Sequence, residues 1–187
     1  MWGGAAGRSA SRRPGRRDRK GTWQEMQQKG PGDDLRPQLA DPDMIALYDY
    51  WLAQRRGRRM PSRRDLDPVD LPRQLANMML IDIEHRPLLR YRYRLVGTRV
   101  VEASAEDRTG AYFESVEFFA RNPVVMGQYK QVGDEGEPMF SLEPFRNFVN
   151  GTIYEVERLI LPLSTDGEVV DMLLVHFSFK TGPWGRG

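Results

Sequence analysis

The stretch that decides the fold covers residues 89–110 and reads LRYRYRLVGTRVVEASAEDRTG. Arginines alternate with apolar residues at its start, which predicts a β-strand with two unlike faces. Those faces carry Tyr91, Tyr93 and Leu95 on one side and Arg90, Arg92 and Arg94 on the other. After Gly97 the apolar spacing becomes helical. Arginine beside tyrosine also suits a nucleic-acid surface, so the partner of the basic stripe decides between the two interpretations.

The preceding segment, MMLIDIE at residues 78–84, supplies that partner. Read as a strand, it places Asp82 and Glu84 on one face and Ile81 and Ile83 on the other. A hairpin would pair these acids with the arginines across the two strands. We therefore predict a half-buried hairpin whose tyrosines are interior, in preference to a nucleic-acid surface.

Composition and charge support this interpretation. The chain has 187 residues, enough for one domain with extensions, and no cysteine. Residues 1–30 hold eight Lys or Arg and two Asp or Glu, a charge of +6. Because the whole chain has a net charge of +2, residues 31–187 carry a net charge of −4. A mildly acidic body argues against nucleic-acid binding by the folded part.

The composition divides the chain into four segments. We predict a disordered basic tail at 1–34, an N-terminal helical segment at 35–77, a core at 78–180 and a flexible C-terminus at 181–187. The tail could contact phosphates, which keeps a nucleic-acid-associated regulator as the alternative function. No apolar run is long enough for a membrane span or a secretory signal, so a cytoplasmic protein is expected.

Residues 41–57, DPDMIALYDYWLAQRRG, predict a helix with clear ends. Asp41 can cap it, Pro42 fits its first turn and Gly57 can end it. An apolar face at helical spacing contains Met44, Leu47, Tyr48 and Trp51. This face covers either the chain's own sheet or a second subunit, so Leu47, Tyr48 and Trp51 are the candidate partner face for a homodimer.

The other segments alternate in type along the chain. Asp67 and Pro68 open a short helix bent at Pro72, and helical segments follow residue 110, broken at Pro123 and ending at Gly133. The last three strands are EPMFSLEPF, TIYEVERLILPLS and EVVDMLLVHFSFK, with a hairpin turn at Thr165-Asp166-Gly167 between the last two.

This order, with YDYWLAQRRGRRMPSRRDLDPVDLP, YRYRLVGTRVVEASAEDRTG and LILPLSTDGEVVDMLL, resembles the PAS fold. It looks most like small stand-alone PAS-like proteins, mostly from alphaproteobacteria. The resemblance implies an α+β fold: a five-stranded antiparallel sheet with short helices on one face and an N-terminal helix. It also implies a non-enzymatic sensor or interaction module that acts on a signalling protein in trans. The chain departs from the family at Ala105, where a Gly is usual, so we expect a tighter or shifted backbone there.

PAS domains often enclose a small cavity between helices and sheet. The candidate lining residues here are Tyr91, Tyr93, Phe119, Tyr129, Tyr154, Arg158 and His176. A packed core is the simpler interpretation for most of the aromatic residues. An inward Arg158 would bind a carboxylate ligand or pair with an internal acid, and His176 could contact a ligand if its strand face is inward.

Several cofactors implied by the resemblance conflict with the residues. Flavin and coumaryl thiol adducts need a cysteine, and the chain has none. Haem ligation from a central helix needs a histidine there, whereas His85 and His176 fall in a loop and in the last strand. Two such histidines also disfavour a metal cage, and no nucleophile–base pair predicts catalysis. An unidentified small ligand remains the expectation.

Overall fold

A computed structural model describes residues 34–146 and 153–181. The predicted tail up to residue 33 and the C-terminal segment from residue 182 lie outside the described residues. The α-helices are α1 (Pro42–Gln54), α2 (Thr98–Ser104), α3 (Glu117–Arg121) and α4 (Pro123–Glu135). The strands are β1 (Met78–Glu84), β2 (Arg90–Val96), β3 (Met139–Arg146), β4 (Ile153–Leu163) and β5 (Met172–Thr181).

The five strands form one antiparallel sheet in the order β2-β1-β5-β4-β3. The first and last strands of the chain are therefore neighbours at its centre, where Leu80 pairs with Leu174. The helices α2, α3 and α4 follow β2 and cover one face, which we call the inner face. The predicted α+β arrangement of a five-stranded sheet with helices is confirmed.

The hairpin of β1 and β2 forms as predicted from its charges. Asp82 pairs with Arg92 at 3.0 Å and with Arg94 at 3.3 Å, and Glu84 pairs with Arg92 at 3.2 Å. Tyr91 and Tyr93 are buried. Arg92 and Arg94 are thus neutralised within the hairpin, whereas Arg90 pairs with Glu114 outside it at 2.6 Å.

Leu95 does not share the face of the two tyrosines, which corrects the sequence prediction. The pairing shifts between Leu80, opposite Leu95, and Ile81, opposite Tyr93, so Arg94 is an extra residue in β2. A bulge of this kind reverses the face of the residues beyond it. Leu95 is 45% exposed as a result.

Helix α1 covers the outer face of the chain's own sheet. Asp41 caps it by accepting from the backbone N–H of Asp43 at 2.8 Å, and its other carboxylate oxygen accepts from Ser178 of β5 at 2.7 Å. Trp51 is 1% exposed and donates through Nε1 to the carbonyl of Pro162 at 3.0 Å. Its neighbours Leu47 and Tyr48 are buried too. The side chains of the candidate dimer face are therefore buried against the chain's own sheet. The homodimer stays a prediction, and these buried side chains are not exposed to a second subunit.

Three of the differences between the observed element bounds and the sequence prediction have an identifiable physical cause. The short helix expected after Asp67 is replaced by separate 3-10 turns, Pro68–Asp70 and Leu75–Asn77, because Pro72 between them has no N–H to donate to a continuous helix. Helix α4 passes Gly133 and ends at Glu135, followed by Gly136 as a C-cap with a φ of 64°. Strand β5 begins only at Met172, because Asp166 accepts from the N–H groups of residues 168 and 169 and holds them in the turn.

Within residues 34–146 and 153–181, no helix combines the length and apolar character needed to cross a membrane.

Candidate functional site: a cavity with a buried arginine

A cavity of about 120 Å³ lies between the inner face of the sheet and the helices α2, α3 and α4. Helical residues contribute one wall and strands β1 to β5 the other. Its lining includes Val100, Phe119, Tyr129, Val156, Arg158 and Phe177. Most of these side chains are apolar, so the arginine is the group that requires explanation.

Strand alternation brings Arg158 into this cavity. Its neighbours Val156 and Ile160 on the same face of β4 are buried, and Arg158 itself is only 6% exposed. Its Nη2 donates to the side chains of Gln128 and Ser141. Its Nε is buried and has no hydrogen-bond partner. The inward orientation on which the ligand prediction depended is therefore present.

The charge of Arg158 is only partly balanced. A carboxylate oxygen of Glu143 lies 3.9 Å from Nη2, beyond the ~2.7–2.9 Å of a charge-assisted hydrogen bond. That same oxygen accepts from Gln128 Nε2 at 2.8 Å. The internal acid anticipated from the sequence is present, but it reaches Arg158 chiefly through Gln128.

Two tyrosines complete the polar side of the cavity. Tyr129, on α4, has its ring centroid 5.4 Å from the guanidinium carbon of Arg158. Burial raises the pKa of Tyr129, with Arg158 acting in the opposite direction. Burial likewise raises the pKa of Tyr93 well above its ordinary value. Both hydroxyls therefore stay protonated at neutral pH and can donate.

Arg108 also lines the cavity and was missed by the sequence analysis. It follows α2 in a loop that begins at Ala105, whose φ of 60° is left-handed despite its Cβ. Its side chain is 19% exposed and pairs with the exposed Glu106 at 3.2 Å. Among the residues that line the cavity, two arginines thus face one carboxylate, that of Glu143. Loop residues show no periodicity, so no signal in the sequence placed Arg108 here.

Aromatic stacking holds the helices against the inner face. Phe113 stacks on Phe119 with centroids 4.0 Å apart and on Tyr91 at 5.5 Å. Tyr93 and Phe119 line the cavity as predicted for a pocket, whereas Tyr91 is not among its lining residues. The Tyr91 hydroxyl is buried without a partner, and burial raises its pKa to about 12. Tyr91 therefore belongs to the packed core.

His176 lies on the other side of the sheet. It pairs with Leu159 and Met78, which share its face, while the adjacent Arg158 and Phe177 are directed inward. The condition for its ligand role, an inward face, is not met. Tyr154 belongs to β4, but its side chain lies outside the described residues.

A larger pocket of about 540 Å³ lies between the outer face and residues 63–76. Its lining is apolar apart from Arg63 and Thr98 among the described residues, and Arg63 donates to the carbonyl of Leu66 at 2.8 Å. Small-molecule sites need a few convergent polar groups to fix orientation. The inner cavity has them and the outer pocket does not, so the inner cavity is the candidate site.

The part of the chain that the structure describes contains no cluster of three His, Asp or Glu side chains suited to hold a metal ion.

The fold and the cavity between helices and sheet define the class of protein: a PAS-type domain. Comparison with protein families agrees, since a family model described as a PAS domain matches residues 39–175. The chain belongs to this family.

Solved structures of light-oxygen-voltage (LOV) proteins are similar to the chain. The Rhodobacter sphaeroides LOV protein is 11% identical with a TM-score of 0.46, and the match covers 60% of this chain and 63% of that one. An RNA-binding light-oxygen-voltage receptor is also 11% identical with a TM-score of 0.45, covering 65% of this chain and 36% of that one. The chain therefore spans less than two thirds of each. Comparison with curated proteins gives no match.

Proposed function

We propose that this PAS domain is a non-enzymatic sensor module that binds a compact small molecule in the inner cavity and reports to a signalling protein in trans. The observation that carries the proposal is Arg158, a buried guanidinium with an unpartnered Nε at the wall of the cavity. A buried donor without an acceptor costs about 1–3 kcal/mol, and a ligand acceptor would remove that cost.

The dimensions of the cavity favour a compact ligand over a large chromophore. Its volume of about 120 Å³ lies below the ~300–1,000 Å³ of typical drug-sized ligand pockets. The chain also lacks the cysteine that an adduct-forming flavin or coumaryl thioester requires. Both observations favour a ligand smaller than a flavin and held without a thiol adduct.

The surroundings of Ser104, the serine among the described lining residues, favour binding over catalysis. Ser104 donates to the carbonyl of Val100 at 2.9 Å, a bond within its own helix. The described lining residues place no histidine beside it. An activated serine needs a neighbouring general base, so Ser104 is better explained as part of the helix end.

Native mass spectrometry of the protein purified from its own host tests the proposal. The wild-type protein should retain a small molecule that the Ala103→Leu variant loses, because Ala103 lines the cavity and leucine would fill it. The same substitution at the exposed Ala120 of α3 is the matched control and should retain the molecule. Wild-type protein that carries no molecule, or a molecule equally retained by Ala103→Leu, would contradict the proposal.

The alternative function, nucleic-acid binding by the basic tail, concerns residues outside the described part and stays a prediction. So do the homodimer and the likeness to stand-alone alphaproteobacterial proteins.

A further inference from the structure

We propose that the ligand of the inner cavity is a small organic monocarboxylate, with its charged group at Arg158 and its carbon chain among the apolar side chains. This inference rests on the proposed function and names the ligand class of the same site.

The first argument concerns charge. The lining residues contain the guanidinium groups of Arg158 and Arg108 and the single carboxylate of Glu143. Arg108 is already paired with Glu106 at 3.2 Å, so Arg158 is the lining cation without a carboxylate in contact. Glu143 is about one third exposed and its near oxygen is already bonded to Gln128. A desolvated cation is stabilised by an anion in contact, and less by neutral acceptors. The cavity therefore favours an anionic ligand over a neutral one and opposes a cationic one.

The second argument concerns donors. Nη2 of Arg158 is engaged by Gln128 and Ser141, while Nε has no acceptor. The hydroxyls of Tyr93 and Tyr129 are further donors at the cavity wall. A carboxylate is an acceptor with two oxygens and no proton, which matches a set made of donors. An amide or alcohol would bring donors of its own and would leave the guanidinium charge without an anion in contact.

The third argument separates organic carboxylates from inorganic anions. Most of the remaining lining is apolar and includes Val100, Phe119, Val156 and Phe177, the last paired directly with Arg158 across β4 and β5. A phosphate ion would place a charged group against these apolar side chains, which is unfavourable. A hydrocarbon chain would instead bury their apolar surface, which is favourable. An apolar cavity of ~150 Å³ in another protein holds benzene, so about 120 Å³ suits a molecule near the size of butyrate.

Calorimetric titration with defined probes tests the inference. The anionic probes are propionate, butyrate and isobutyrate, the neutral isosteres are butyramide and 1-butanol, and the inorganic probe is phosphate. In the wild-type protein, butyrate should bind at least tenfold more tightly than butyramide, and phosphate should not compete with it.

Variants connect the affinity to the residues. Arg158→Met should weaken butyrate binding at least tenfold and Arg108→Met several-fold. Glu143→Gln should strengthen it several-fold, because the competing carboxylate is removed. Arg92→Met, on the outer face and paired with Asp82 and Glu84, is the matched control and should leave affinity unchanged. If Arg158→Met does not fold, Arg108→Met and Glu143→Gln decide the question.

The outcomes separate the two proposals. Neutral isosteres that bind as tightly as butyrate, or affinity unaffected by all three cavity variants, would overturn the carboxylate assignment and leave the small-molecule sensor standing. No binding of any probe, together with no retained molecule from the native host, would overturn both.

Discussion

Replacing His176 with leucine should make folding markedly less sensitive to acid. His176 is 1% exposed on the outer face of the sheet, between Met78 and Leu159 of the neighbouring strands. Neither ring nitrogen has a hydrogen-bond partner. Burial lowers the pKa of His176 from 6.5 to about 4, while the nearby carboxylates of Asp41 and Asp43 act in the opposite direction.

The sign and size of the effect follow from linkage between protonation and folding. Because the folded-state pKa lies below the unfolded one, the unfolded chain binds the extra proton, and stability falls as the pH drops from 6.5 towards 4. At about 1.4 kcal/mol per pKa unit, the wild-type protein should lose about 3 kcal/mol across this window through His176 alone. Above pH 7.5 the imidazole is neutral in both states and this contribution is flat.

Leucine removes both the titration and the unpaired buried nitrogens. His176→Leu should therefore be at least as stable as the wild-type protein at pH 7.5, since an unsatisfied buried donor costs about 1–3 kcal/mol. Its advantage should then grow by about 2–3 kcal/mol on going to pH 4.5.

Urea unfolding followed by tryptophan fluorescence at several pH values measures both quantities. His85→Leu is the matched control: His85 contacts the carbonyl of Val170 at 2.8 Å in a loop, so its replacement should not remove the acid dependence seen in the wild-type protein. A constant difference between wild type and His176→Leu from pH 7.5 to 4.5 would refute the reasoning. So would a loss of more than about 2 kcal/mol at pH 7.5, which would show that the imidazole has a stabilising partner.

Three further substitutions test local features, each by urea unfolding at pH 7.5. Ala105→Gly should stabilise the protein by about 0.5–1 kcal/mol because it relieves the left-handed φ of 60°, and a loss would mean that the methyl group packs usefully. Gly97→Ala should cost about 2–3 kcal/mol, since its Cβ would lie 2.4 Å from the carbonyl oxygen of Ala76; a neutral effect would show that this approach relaxes freely. Trp51→Phe should lower the free energy of unfolding by about 2 kcal/mol, through the lost hydrogen bond to Pro162 and the smaller ring. Light scattering should give the same mass for the variant as for the wild-type protein, whereas a lower mass would show that Trp51 stabilises a dimer.

Local charge and capping were readable from the sequence. Asp82 and Arg92 are neighbours across a short connection, so their complementarity predicted both the hairpin and the interior tyrosines. Asp41 before Pro42 likewise marked the start of α1, and both features are observed. Such signals depend on residues within one element or one hairpin, where the backbone fixes the geometry.

Features that depend on register were not readable. Alternation shows that Arg158 and Ile160 share a face, but only the β4–β5 pairing shows that His176 lies beside Leu159 and not beside Arg158. The face on which Leu95 lies depends on a β-bulge at Arg94, and no residue pattern in the sequence predicts that bulge. Arg108 enters the cavity from a loop, where neither period 2 nor period 3.6 applies. The candidate site was thus half predicted: its strand arginine, two tyrosines and Phe119, without the second arginine.

The most direct measurement observes the Nε–H group of Arg158 itself. In nitrogen-15 NMR spectra of arginine side chains, the Arg158 signal is the one that disappears in Arg158→Lys. Titration with butyrate should move this signal to lower field, as the unpartnered Nε–H gains a charged acceptor, while the Arg92 signal on the outer face stays in place. An Arg158 signal that stays unchanged at butyrate concentrations far above those that move any other resonance would contradict a ligand site at Arg158.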